Sequence, residues 1–325
     1  MKHKNSQRKT VQRILTSKVP MIFEEQTIGN VEKLLLDKTS EFETISYIYA
    51  IDHDKRLKGV LSIKEVFRSP KDEIVKNLLH KTLVSVSAHT HQERAAYLAL
   101  KHKIKSIPVV DKNGVFLGAI PADAILETLY HETTEDIMRL GGVRHTSPVD
   151  DIFKLSILKS LEHRLPWLVF GLFGGILASG IVNSFEKILS TNLILATFIP
   201  LIVYMGDAVG TQMEAFIIRD LAINPKLKFL KYFFHQLLII ILTGMIISLL
   251  AYGGTTIVYG DKKLGFIVSL ALFCAMISSI FSGLIIPFIF SKLKLDPANA
   301  SGPIATIIQD IISITVYFGI AHVLL

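Results

Sequence analysis

The stretch "IPLIVYMGDAVGTQMEAFIIRDLA" (Ile199–Ala222) decides how the rest of the chain is read. No charged residue occurs from Ile188 to Gly206; then Asp207 appears, and Glu214 follows seven residues later. On a helix a spacing of seven brings both carboxylates to one face, two turns apart. A carboxylate near the middle of a bilayer costs about 2.5–3.5 kcal/mol on insertion scales. Two acids in such a segment mark either a span with an ion-handling duty or a buried helix of a soluble core. The composition around them separates the two.

The chain has 325 residues, half of them hydrophobic, and a mean hydropathy of +0.46. That average hides two unlike halves. Residues 1–164 hold 47 of the 63 Asp, Glu, Lys and Arg residues, and residues 165–325 hold 16. Five segments of the second half can each supply the roughly 20 residues that ~30 Å of hydrocarbon requires. They are Leu165–Phe185, Leu193–Arg219, Tyr232–Tyr259, Leu264–Ser291 and Pro297–Leu325, the last interrupted by Asp310 and His322. Five such segments exceed what a soluble core of this size needs.

Charge sets the expected orientation. The amino terminus "MKHKNSQRKTVQRIL" is basic but lacks a following apolar h-region, so the first half is expected in the cytoplasm. Arg219, Lys226, Lys228, Lys231, Lys292 and Lys294 then fall inside, against Lys187, Lys262 and Lys263 outside. This obeys the positive-inside rule and leaves the carboxyl terminus outside the cell membrane. The net charge of +7 is thus explained by membrane topology. No nucleic-acid partner is expected, because no base-stacking aromatics accompany the basic residues. The single Cys274 permits no internal disulfide. No phosphate loop of the form G-x-x-x-x-G-K-[ST] occurs, which argues against an ATP-driven pump. No paired His or Ser/Lys set recurs on facing spans, so no enzyme is expected.

The polar half is a repeat. "ISYIYAIDHDKRLKGVLSIKEVF" (Ile45–Phe67) aligns with "IKSIPVVDKNGVFLGAIPADAIL" (Ile104–Leu126) at a period of 59 residues. Each reads as strand, Asp-containing turn, strand and helix start. Amphipathic helical stretches precede both, Ile28–Asp37 and Thr90–His102. This pattern resembles a tandem pair of CBS domains, at about 14–70 and 78–135. The resemblance implies an adenine nucleotide as partner. Its ribose-binding signature is a Ser/Thr followed three residues later by Asp. Here the first copy has Ser62 and Glu65, and the second has Pro121 and Ala124 with Asp123 one position early. Both copies depart from the pattern.

The whole is expected to be an α+β cytosolic CBS pair (residues 14–138) after a basic tail (1–13), followed by an all-α membrane domain of five helices (164–325). Between them, residues 139–163 carry Ile152, Leu155, Leu158 and Leu161, the spacing of an amphipathic connector helix.

A CBS pair ahead of five spans resembles the MgtE family of magnesium channels. The resemblance is carried by Ile199–Ala222, by "HETTEDIMRLGGV" (His131–Val143), and by "DPANASGPIATIIQDIISITVYFGIAHVLL" (Asp296–Leu325). Members usually carry an acidic helical domain before the CBS pair, where this chain has a short basic tail. Their second span is rich in Gly and Asn, where this chain has Asp207, Ala208 and Thr211. The resemblance implies a homodimer in membrane lipid with Mg²⁺ as substrate and regulator. It makes Asp310 the pore carboxylate, two copies facing one axis. It also matches Glu132, Glu135 and Asp136 to acids that hold Mg²⁺ between cytosolic modules.

The residues themselves leave alternatives open. Asp310 is either a pore ligand or the partner of a polar group on a neighbouring helix. Asp207 and Glu214 either add negative potential to the ion path or serve structure, Glu214 by pairing near the cytoplasmic face with Arg219 five residues on. Gly206, Gly210 and Gly302 suit close helix approach and carbonyls freed to line a cavity. Glu132, Glu135 and Asp136 form either a Mg²⁺ sensor or a solvated helix face. Mg²⁺ holds its waters tightly and prefers oxygen ligands, so a wet path lined by carboxylates and carbonyls suits it better than a closed cage. The leading expectation is a passive Mg²⁺ channel gated by cytosolic Mg²⁺. A secondary carrier for another divalent ion such as Mn²⁺ or Co²⁺, and a non-conducting CBS-linked receptor, are the alternatives.

Overall fold

The computed structural model describes residues 9–80, 83–143, 155–224, 227–293, 295–300 and 302–325. They form two compact units, residues 1–133 and 134–325.

In the first unit the 59-residue period becomes two three-stranded sheets. One has the order β1 (Met21–Phe23), β2 (Tyr47–Ile51), β3 (Leu57–Ser62); the other has β4 (Val86–Ser87), β5 (Ile107–Val110), β6 (Phe116–Ile120). In each, the first pair is parallel and the second is an antiparallel hairpin. Helix α1 (Ile28–Lys38) crosses over in the first copy and α2 (Gln92–His102) in the second. The register of both hairpins shifts at equivalent positions, Ala50/Ile51 and Val109/Val110. An irregularity kept at the period of the repeat comes from the shared strand–turn–strand pattern.

Each copy has its own core, around Ile28, Ile48 and Leu61 in the first and Ala95, Ile107 and Ile120 in the second. A third cluster of Val19, Tyr49, Ile51, Phe116 and Ala119 joins them. There Tyr49 stacks on Phe116 at 4.7 Å between ring centroids. Its hydroxyl lies 2.9 Å from Ser106 Oγ. Burial, only partly offset by that hydrogen bond, pushes the Tyr49 phenol up to about 12, so it stays neutral. Val11, which the sequence places in a basic tail, is fully buried in the second copy's core. Its N–H donates to Thr90 O at 2.9 Å.

Helix α3 (Ala122–Leu140) follows β6. In the second unit, α4 (Ile157–Ser184) is capped by Ser156 and passes through Pro166 without interruption. Of the expected connector (139–163), residues 144–154 fall outside the described residues, 139–140 end α3, and 157–163 form the first turns of α4. Leu158 and Leu161 lie on it, both exposed, while Ile152 falls outside the described residues. Next come a 3₁₀ segment (Leu193–Phe198) and α5 (Ile199–Ile223), then α6 (Phe229–Tyr259) and α7 (Lys262–Ile280). A π-turn (Phe281–Ile285) connects α7 to α8 (Ile286–Lys292), and α9 (Pro303–Leu324) ends the chain.

Among the described residues, five helical stretches are long and apolar enough to cross a membrane: 157–184, 193–223, 229–259, 262–292 and 303–324. The fourth is the most buried of them and packs against its neighbours α5, α6 and α9. The core between α5, α7 and α9 is apolar, with Ile202, Val268, Leu272, Tyr317 and Phe318 fully or almost fully buried. The Tyr317 hydroxyl donates to Leu195 O at 2.8 Å, which satisfies a donor that lipid could not.

Candidate functional site

Helix α5 buries one stripe: Ile202, Gly206, Gly210, Met213, Glu214, Ile217 and Leu221. Helix α9 buries another: Ala305, Gln309, Ser313, Ile314, Tyr317 and Ala321. The two helices pack together along these stripes. Asp207 follows Gly206 and Asp310 follows Gln309, so both aspartates stand at the edge of the contact, half-buried.

The structure brings the three intramembrane acids into one neighbourhood. Asp207 lies within Coulombic reach of both Asp310 and Glu214, and its carboxylate is hydrogen-bonded to Thr306. Glu214 is only 4% exposed. Its carboxylate accepts the main-chain N–H of Gly302, the residue that begins α9. A helix amino terminus carries positive partial charge, which favours a carboxylate there. Gly302 holds φ at +67°, and a Cβ on it would sit 2.9 Å from Leu140 O, so no other residue fits easily. Its carbonyl accepts the Thr306 N–H at 3.0 Å, the first hydrogen bond of α9, and its N–H is turned to an acid.

Glu214 does not pair near the cytoplasmic face with Arg219. Arg219 instead bonds Asp220 at 2.9 Å and lies over the Phe216 ring. Gly206 is buried: a Cβ there would meet Ser313 Oγ at 2.5 Å and Gln309 Nε2 at 2.9 Å. It serves close approach of α5 to α9. No Lys or Arg occurs in α9, and Arg219 is the only one in α5. Among the described residues, no group of three or more His, Cys, Asp or Glu converges as a metal-binding set within the single chain.

Sequence reasoning missed the polar partners behind these acids. Gln309, Ser278, Ser282 and Ser313 form a buried hydrogen-bonded group beside Gly206. The signal was present in "ISSIFSG" (Ile277–Gly283), three serines within seven residues of a mostly apolar span, and in the amide that precedes Asp310.

The three acids of α3 have partners within the chain. Glu132, 7% exposed, accepts from Lys9 Nζ at 2.8 Å and from Gln92 Nε2 at 2.9 Å. Glu135 is bonded to Arg139, which also bonds Asp296. Asp136 lies within electrostatic reach of the same guanidinium. Burial disfavours the charge on Arg139, but Asp296 and Glu135 beside it more than offset this and raise its pKa. These acids are not a freely solvated face; each is drawn to a cation of the protein itself.

In the first copy of the repeat, Glu65 closes a capping box with Ser62. Its carboxylate accepts from the Ser62 N–H and hydroxyl at 2.8 Å and lies 2.6 Å from His80 Nε2. Burial pushes this carboxyl up, yet the hydrogen bonds from Ser62 and the contact with His80 outweigh it and hold the pKa low.

Two repeated three-stranded sheets followed by five helices long and apolar enough to cross a bilayer define a membrane protein with a polar α+β domain. Comparison with known proteins agrees. The family model "MgtE: Divalent cation transporter" matches residues 199–320. The CBS domain model matches 11–72 and 75–131. The magnesium transporter MgtE of Bacillus subtilis (strain 168) is 34% identical over 312 residues, covering 95% of this chain and 68% of that protein. That of Enterococcus faecalis is 30% identical, covering 95% and 67%. A solved structure of the cytosolic domain of the Mg²⁺ channel MgtE in complex with ATP aligns at 27% identity with a TM-score of 0.35, over 40% of this chain and 55% of that one. The chain belongs to the MgtE family, and it is a magnesium transporter of the membrane.

Proposed function

We propose that the protein is a homodimeric Mg²⁺ channel, with its CBS pair in the cytoplasm and its carboxyl terminus outside. In this reading Asp310, Asp207 and Glu214 line or field the ion path, and Gly206 and Gly302 bring the helices close enough to form it. The observation that carries it is the placement of Asp207 within electrostatic reach of both Asp310 and Glu214 along the packed helices α5 and α9. No Lys or Arg lies between Asp207 and Glu214 on α5, and none occurs on α9. Acids in a bilayer are costly, neutral hydrogen bonds from Thr306 and Gly302 carry no full charge, and a passing divalent ion would supply one. A membrane potential of about 100 mV, inside negative, favours influx of a divalent ion by about 4.6 kcal/mol, so no energy source beyond the gradient is needed. Reconstituted into voltage-clamped liposomes, the protein is expected to pass Mg²⁺ current without countertransport. Flux that strictly requires an exchanged ion would replace the channel with a carrier.

Gating follows from the acids of α3. Cytosolic Mg²⁺ competes with Lys9 at Glu132 and with Arg139 at Glu135 and Asp136, and the Mg²⁺-bridged form is the closed one. Mg²⁺ shifts the equilibrium only by its differential affinity for that form. The two kinds of substitution should therefore act in opposite directions. Replacing Glu132, Glu135 and Asp136 by their amides should move closure to higher cytosolic Mg²⁺. Lys9→Ala removes a competitor and should move closure to lower Mg²⁺. Flux recorded against cytosolic Mg²⁺ checks both, and shifts of the same sign would sink the competition. We assign no nucleotide to the Ser62–Glu65 turn, whose carboxylate is committed to Ser62 and His80.

A further inference from the structure

Gln309 is 1% exposed in the middle of the membrane unit, and its amide is fully used. Oε1 accepts from Ser282 Oγ at 2.7 Å. Nε2 donates to Ser313 Oγ at 3.0 Å, and lies 3.3 Å from both Ser278 Oγ and Ala275 O. Ala275 O can only accept, which fixes the way the amide points. The partners come from α7, from the π-turn and from α9 itself, while the bare backbone of Gly206 on α5 presses against the same amide.

The next residue on each of the two helices is an acid of the proposed path. Asp310 follows Gln309, and Asp207 follows Gly206. One turn further along α5, Gly210 meets the π-turn: a Cβ on Gly283 would lie 2.4 Å from Gly210 O. Both acids thus hang from backbone whose rotation is set at this hub.

We propose that Gln309, with Ser282 as its partner, is a positioning residue for Mg²⁺ passage that fixes the separation of Asp310 from Asp207 and thereby sets discrimination among divalent ions. This rests on the reading of those two aspartates as acids of the ion path. A hydrated Mg²⁺ is held through its waters, so carboxylate spacing is the variable that distinguishes it from a larger, more easily dehydrated ion such as Ca²⁺. The hub is poorly suited to being mere adhesive. Hydrogen bonds between membrane helices average about 0.6 kcal/mol, because the unfolded helices find partners too. What a directed amide adds over a leucine of similar size is a fixed register.

The test is Gln309→Met and Ser282→Ala in the full-length protein in liposomes, read by Mg²⁺ and Ca²⁺ flux and by thermal unfolding. Gln309→Met keeps the volume and removes all the hydrogen bonds. It should raise the half-saturating Mg²⁺ concentration and lower the Mg²⁺/Ca²⁺ preference by about fivefold each. Ser282→Ala, a smaller change in case Gln309→Met folds poorly, should shift both in the same direction by less. The double variant should go no further than Gln309→Met alone, as expected for groups acting as one unit. A lowered unfolding temperature with wild-type half-saturation and preference would make the hub structural only and overturn the proposal. Asp310→Asn run in parallel separates the two failures. Normal flux in Asp310→Asn would remove the pore reading itself, whereas lost flux there with an unaltered Gln309→Met would remove the positioning role alone.

Discussion

Asp310→Asn is expected to lower Mg²⁺ flux by more than about tenfold while the protein still folds and assembles. The substitution keeps the shape of the side chain and removes only its charge. At ~4 Å and an effective dielectric constant near 20, a carboxylate and a divalent ion attract by roughly 8 kcal/mol, twice the single-charge value. If desolvation cancels three quarters of that, about 2 kcal/mol remains, which is already more than a factor of ten. Nothing on α9 can take over the charge, since Asp310 is its only acid. Asp207 remains nearby and should leave a residual flux. Mg²⁺ influx followed with an entrapped indicator, with size-exclusion to verify assembly, checks this; wild-type flux would mean that Asp310 is structural.

Glu214→Gln should produce the second large loss, comparable to that of Asp310→Asn and largely independent of salt. The amide can still accept the Gly302 N–H through its Oε1, so the start of α9 keeps its anchor and only the charge disappears. Spacing to Arg219 alone would place Glu214 at a wet mouth, where salt screens charges over about 8–10 Å and the effect is small. Its burial against Gly302 predicts otherwise, because buried charges are screened little. Flux of Glu214→Gln measured from low to high ionic strength decides between the two. A defect that vanishes as salt rises would return Glu214 to the surface.

The five spans were legible because hydropathy over about 20 residues is a property of composition alone. The CBS pair was legible because its second copy repeats the first, down to strands whose registers slip at the same place. Asp310 stood out as an isolated charge. What the sequence hid depends on distant partners. Glu132 meets Lys9 across 123 positions. Arg219 has an acid on either side in the sequence and turns to Asp220. Gln309 finds its amide partners on a helix some thirty residues earlier. The start of the first span was hidden for a different reason: Pro166 is tolerated inside α4, so the helix begins at Ile157, before the charges at Lys159, Glu162 and Arg164 stop.

The π-turn at Phe281–Ile285 has a consequence for how this chain is compared with its relatives. A π-turn takes up one more residue than an α-helical turn, so every later position lags the α-helical count by one residue, about 100° around the axis. The fourth span is therefore two rods in series, with separate compass bearings. Positions that face lipid on Lys262–Ile280 do not extrapolate to Ile286–Lys292. A relative with an uninterrupted helix here would need a one-residue gap to align, and an ungapped alignment would exchange lipid-facing and protein-facing positions from Ile286 to Lys292.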